Sequence, residues 1–133
     1  MSVPSLSLDW KGDLRFSNSP GSPAIELDSS AEGITSPTQA FAYSLMACMA
    51  MDVVHILQKG RHDLKAMKVH FDGERAADYP RRYLAMNVRF DITGDVPDDA
   101  VQRAIDLSHD KYCSVSNSIA TDIAFKATFS VTR

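Results

Sequence analysis

The side chains with the widest chemistry in this sequence are its two cysteines, Cys48 and Cys113, sixty-five residues apart. A thiol can bind a metal, form a disulfide or, once ionised, attack an electrophile. No C-x-x-C occurs and no Cys/His cluster has zinc spacing, which argues against a metal staple. A distant pair in a reducing compartment is otherwise two unrelated buried thiols. Cys48 falls about a dozen residues into a long helical stretch. The helix dipole fades within its first turn, so activation of a mid-helix thiol must come from a cation or donor on another segment. Phe41, Ser44, Asp52 and His55 share its helix face by spacings of four and seven. Asp52 would hold the thiol protonated, and a protonated His55 would favour the thiolate. Neither makes a Cys–His nucleophile pair with an orienting third residue. Taken alone, Cys48 reads as core more readily than as catalyst.

Asp52 sits within Met49-Ala50-Met51-Asp52-Val53-Val54 and needs a partner if buried, so it reads as an interface anchor or a functional acid. His55 reads as a satisfied core or interface histidine, or as a base. His62, His70 and His109 look solvated, Arg81-Arg82 reads as a charged turn, and Asp98-Asp99 as a helix start.

The elements that must carry these residues follow from periodicity. Leu6, Leu8 and Trp10 alternate with polar residues, as in a half-buried strand. Lys11-Gly12-Asp13 turns the chain, and Leu14 and Phe16 start a return strand around Arg15. A short strand over residues 24–28 and a polar loop over 29–34 follow. Ser36-Pro37-Thr38-Gln39 is a capping-box pattern that opens a helix running to Lys59, with Gly60 as a left-handed stop. Residues 45–57 are apolar nearly all round, which predicts burial on every side and hints at a dimer. Alternation resumes at Met67, Val69 and Phe71, and is cleanest at Leu84, Met86, Val88, Phe90 and Ile92. Asp95-Val96-Pro97 opens a second helix to about Tyr112, and Ile123, Phe125, Phe129 and Val131 form a last strand. The order β-β-β-α-β-β-α-β predicts an α+β fold with antiparallel sheets, as a single domain over residues 1–133.

Composition agrees. The chain has 133 residues, 14.6 kDa and a net charge of −3 with pI near 5.7, and no basic run, so nucleic acid and anionic membrane are poor partners. No apolar stretch reaches the roughly 18–20 residues that span a bilayer. Met1-Ser2-Val3-Pro4-Ser5-Leu6 lacks the features of a secretory signal, so a cytoplasmic location is expected.

Several segments together resemble a family. Trp10-Lys11-Gly12-Asp13-Leu14-Arg15-Phe16 precedes Ser36-Pro37 at the head of a long helix. That helix carries Cys48 and Asp52-Val53-Val54-His55-Ile56-Leu57, with Arg61 just beyond, and Tyr112-Cys113-Ser114-Val115 closes the second helix. The combination is similar to the OsmC/Ohr family of thiol-dependent hydroperoxidases, and within it the YhfA-like branch. The resemblance implies an OsmC-like fold with a long central helix in an intertwined homodimer. It implies that Cys48 is the peroxidatic thiolate that attacks an organic hydroperoxide or hydrogen peroxide, and that Cys113 resolves the sulfenic acid as a disulfide. A dithiol reductant then restores both thiols, with no cofactor and no metal. Arg15 is the nearest match to the family's activating Arg. The family's helix Glu has no counterpart, since Thr38 and Gln39 occupy its place; Glu26 and Glu32 are the carboxylates left to orient Arg15. The alternative is a non-enzymatic OsmC-like dimer that binds a small apolar ligand or senses oxidants.

Overall fold

A computed structural model describes residues 2–133. The chain forms two compact units, one reaching to Tyr43 and one beginning at Ser44. In the first, β1 (Leu8–Trp10), β2 (Arg15–Asn18) and β3 (Glu26–Asp28) make an antiparallel three-stranded sheet. The β1–β2 turn places Gly12 at φ 104° and Asp13 at φ 45°, and the Trp10 indole N–H donates to the Asp13 carbonyl at 2.9 Å. The expected alternation is present, but its apolar face is open: Leu8 and Trp10 are 49% and 66% exposed. A three-residue strand carries that face to the surface of a lone chain rather than into a core.

Helix α1 (Pro37–Lys59) begins as its sequence dictates. The Gln39 N–H donates to Ser36 Oγ at 3.2 Å, and the Ser36 N–H donates to Gln39 Oε1 at 3.0 Å, which closes a reciprocal capping box. Its end differs from expectation. The left-handed residue is Arg61 (φ 60°), not Gly60. The N–H of His62 returns to the Leu57 carbonyl at 3.1 Å and that of Arg61 to Gln58 at 2.9 Å, a Schellman closure with Arg61 two residues past Lys59. Gly60 is small for a different reason, since a β-carbon there would lie 3.0 Å from the His62 ring.

In the second unit, β4 (Asp63–Arg75), β5 (Tyr83–Asp95) and β6 (Ala124–Thr132) form a sheet in the order β4-β5-β6, with α2 (Asp98–Leu107) between β5 and β6 in sequence. The β4–β5 pair is antiparallel, but β5 and β6 are parallel, which corrects the expectation of antiparallel sheets throughout. The cause is the connection: a helical crossover returns the chain to the end of the sheet from which β5 set out. The core joins one stripe of α1 (Leu45, Met49, Val53, Leu57) to the alternating face of β5 (Met86, Val88, Phe90, Ile92) and to Val101, Ala104 and Ile105 of α2.

Burial of α1 on every side is therefore not seen within one chain. Spacing of four residues places the core stripe on one face, while Met51 on another is 69% exposed. An 18-residue window of α1 is also long and apolar enough to cross a membrane, by length and composition alone, and 28% of it is buried. This corrects the expectation that no stretch reaches that length: Asp52 and His55 interrupt the apolar run without lowering its average below that threshold.

Candidate functional site

The two thiols belong to one core: Cys48 packs against the buried cluster that contains Cys113, and Cys113 and Val115 both bear on its ionisation. Burial pushes the Cys48 thiol above its ordinary range; the backbone N–H of Val115 opposes this, and the charges of Cys113 and Asp52 push in the same direction as burial. Cys48 is half-buried and Cys113 wholly buried, and neither is in a disulfide.

Cys113 owes its position to an irregular local backbone. Past Leu107 the helix widens into a π-helical turn, Ser108–Tyr112, of a kind that recurs at functional sites. The Cys113 N–H closes this turn on the Ser108 carbonyl at 2.7 Å. A 3-10 turn, Ser116–Ser118, then aims the Ser116 N–H at the Cys113 sulfur, 3.2 Å away. The Asn117 amide donates to the carbonyls of His109 at 2.9 Å and Cys113 at 2.8 Å, and the His109 ring stacks on Phe125 with centroids 4.5 Å apart. The Cys113 sulfur thus meets a backbone N–H, the kind of donor that stabilises a thiolate, and Cys48 packs against the same core cluster.

Asp52, one turn after Cys48, is tied to the same turn. The fully buried Ser108 donates its hydroxyl to Asp52 Oδ2 at 2.8 Å, a charge-assisted bond between α1 and the π turn. Asp52 and His55 also line a cavity of about 660 Å³ between the later halves of α1 and α2. Its other walls include Lys59, Arg103 and Tyr112.

Arg15 lies in the N-terminal unit, where strand register sets it across from Asp28. Its Nε is 3.4 Å from Asp28 Oδ2 and 3.5 Å from Glu26 Oε1. Of the two carboxylates left open by the sequence, Glu26 does pair with Arg15, and Glu32 is exposed in the loop beyond. The larger role falls to Asp28, which sequence reasoning missed. Its other oxygen accepts from the Ser30 N–H and hydroxyl, both at 2.8 Å, and from the Ala31 N–H at 3.2 Å. These bonds, with Arg15, hold its carboxyl below the usual range. Asp28-Ser29-Ser30 is an Asx-turn signal that would have found it. Ser108 was missed too, and nothing local marks it. Thr38, in the place of the family Glu, sits 3.4 Å from the N-cap hydroxyl of Ser36.

Residues 29–128 match the family model described as OsmC-like protein. Over 88 residues the chain is 43% identical to Protein YhfA of Escherichia coli strain K12; the match spans 65% of this chain and 66% of that protein, just under two thirds of its length. A crystal structure of a hypothetical protein from Aquifex aeolicus VF5 superposes with a TM-score of 0.89 at 26% identity, over 99% of this chain and 98% of that one. An organic hydroperoxide resistance protein OsmC from Legionella pneumophila superposes with a TM-score of 0.73 over 98% of this chain and 100% of that one; at 18% identity that likeness is one of fold.

Proposed function

Since the chain belongs to the OsmC-like protein family, we propose that it is a thiol-dependent peroxidase that reduces organic hydroperoxides or hydrogen peroxide through Cys48 and Cys113. The observation that carries this reading is the packing of Cys48 against the core cluster that holds Cys113, whose sulfur accepts from the Ser116 N–H. The Cys48 thiolate attacks the distal peroxide oxygen, the O–O bond breaks, and the alkoxide leaves as an alcohol after taking up a proton. Cys48 becomes a sulfenic acid. The Cys113 sulfur displaces its hydroxyl as water and forms the Cys48–Cys113 disulfide, and a dithiol donates two electrons and two protons to restore both thiols. No metal or cofactor enters these steps.

Burial, Cys113 and Asp52 all favour the protonated Cys48, so the reaction needs a cation to offset them. Arg15 is assigned that role, with its guanidinium permanently charged. Asp28 and Glu26 take over the orienting task that a helix Glu performs in relatives. The open faces of β1 and α1 support a homodimer, in which a second copy covers the exposed Trp10 and Met51 and the whole chain acts as one OsmC-like domain, and the reading places that dimer in the cytoplasm. One observation favours the second reading, a non-enzymatic dimer that binds a small apolar ligand or senses oxidants: within its own unit the Cys48 thiol is held protonated.

A stoichiometric pulse of cumene hydroperoxide, read by mass spectrometry, separates the two. The peroxidase reading expects a Cys48–Cys113 disulfide in the unsubstituted chain, a trappable sulfenic acid on Cys48 in Cys113→Ser, and no turnover in Cys48→Ser. Both thiols staying reduced in the unsubstituted chain and in Cys113→Ser would refute it.

A further inference from the structure

The cavity between α1 and α2 carries a charge pattern for which the thiol chemistry has no use. Lys59, in the last turn of α1, and Arg103, on the exposed side of α2, both line it, and among the described residues neither makes an ion pair. The one carboxylate on its walls is Asp52, and one of that group's oxygens is already engaged by Ser108. Lys59 and Arg103 against one carboxylate leave these walls with one net positive charge when His55 is neutral. The rest of the lining is His55, Gly60, Ile56, Leu107 and the Tyr112 ring, the last three mainly apolar. A volume of about 660 Å³ lies within the range of small-molecule sites, roughly 300–1,000 Å³, and such sites combine apolar walls with a few placed charges.

We propose that this cavity binds a small organic monocarboxylate, its carboxylate held by Lys59 and Arg103 and its apolar body laid against Ile56, Leu107 and Tyr112. Charge selects the ligand. A cation would meet two like charges, and a neutral apolar molecule would desolvate Lys59 and Arg103 without pairing them. A dianion would exceed the single unit of positive charge and sit close to Asp52. The carbonyl end of α1 favours cations only weakly, because the backbone N–H groups of Gly60, Arg61 and His62 already cap its last turn. Arg103 supplies a planar fork suited to a carboxylate, and Lys59 a mobile point charge. Neither thiol lines the cavity, so the site is independent of the peroxidase reading, although Asp52 stands one helical turn from Cys48.

Calorimetric titration of the full chain with sodium octanoate tests this, with octan-1-ol as the uncharged probe. One saturable site per chain is expected, weakening as salt is raised. Lys59→Met and Arg103→Met should each lower the affinity by about tenfold, as the loss of one charge-assisted contact does. Both residues are exposed, so neither change touches the core, and Arg103→Lys should restore part of the loss. Lys68→Met, on β4, should change nothing. The double variant Cys48→Ser/Cys113→Ser should bind as the unsubstituted chain does, which separates this site from the fate of the peroxidase reading. Equal affinity for octanoate and octanol would mean apolar adsorption only and would overturn the proposal. So would unchanged binding in both cation variants, or no saturation up to roughly 10 mM.

Discussion

Replacing Ser108 by Ala removes one hydroxyl and tests whether the π turn is fastened to α1 as described. Its bond to Asp52 is 2.8 Å long, and Ser108 is wholly buried. A hydrogen bond to a charged group contributes about 1.5–3 kcal/mol. Asp52 borders the cavity, so water can reach the freed oxygen and the cost falls at the low end, about 1.5 kcal/mol. Unfolding entropy of about 2.1 cal/mol/K per residue gives this 133-residue chain about 0.28 kcal/mol/K, so its Tm should fall by about 5 °C at fixed protein concentration. Circular dichroism melts of the single variants and of Ser108→Ala/Asp52→Ala complete a double-mutant cycle. A coupling energy near 1.5 kcal/mol, well outside the roughly 0.3–0.5 kcal/mol within which independent sites add, is expected. Additive losses would show that the bond contributes nothing specific, and an unchanged Tm in Ser108→Ala would refute the fastening altogether.

Asp52→Asn removes a charge that disfavours the Cys48 thiolate, so alkylation of Cys48 by iodoacetamide should quicken at neutral pH and its midpoint should move to lower pH; an equal or slower rate would remove Asp52 from the account. Gly94→Ala should be severely destabilising, by more than about 3 kcal/mol, because a β-carbon would sit 2.0 Å from the Asp63 carbonyl oxygen at φ 140°. Gly73→Ala meets only the movable rings of Phe71 and Tyr83 and should cost less; equal melts for the two glycine variants would contradict this. The folded-state pKa of Asp28 is depressed, so its stabilisation is complete above the ordinary carboxylate value and is lost as pH falls through the folded-state value. Asp28→Asn should therefore flatten the acid limb of the stability–pH curve, and an unaltered limb would count against the Arg15–Asp28–Ser30 cluster.

Much of this arrangement is local and was legible for that reason. The span of α1 follows from side chains that satisfy their own neighbourhood, Ser36 and Gln39 at its head, and β5 declares itself by the strict alternation of Met86, Val88, Phe90 and Ile92. The family followed from combining such local pieces. Hidden features depend on contacts between distant segments or on competing local energies. The parallel β5–β6 pair depends on where α2 returns the chain, and a strand's own residues do not encode that direction. The left-handed position falls on Arg61, one residue beyond the glycine whose β-carbon would meet the His62 ring. Ser108 matters only because a π turn brings it to Asp52, fifty-six residues earlier. Cys48 and Cys113 could be named from sequence, but their meeting in one core is a property of the fold.

That meeting also links redox state to the persistence of the folded chain. Cys48 and Cys113 bracket most of the C-terminal unit, so a bond between their sulfurs would turn the later half of α1, β4, β5 and α2 into a closed ring of sixty-six residues. Closing a loop of that length restricts the unfolded chain enough to be worth about 4 kcal/mol in the chain-entropy account. An oxidised molecule would then unravel and be digested more slowly than a reduced one, and β6, which lies outside the ring, would become the part of the sheet that detaches first. Resistance to proteolysis would become a record of recent oxidant exposure, erased when the ring is opened by a reductant.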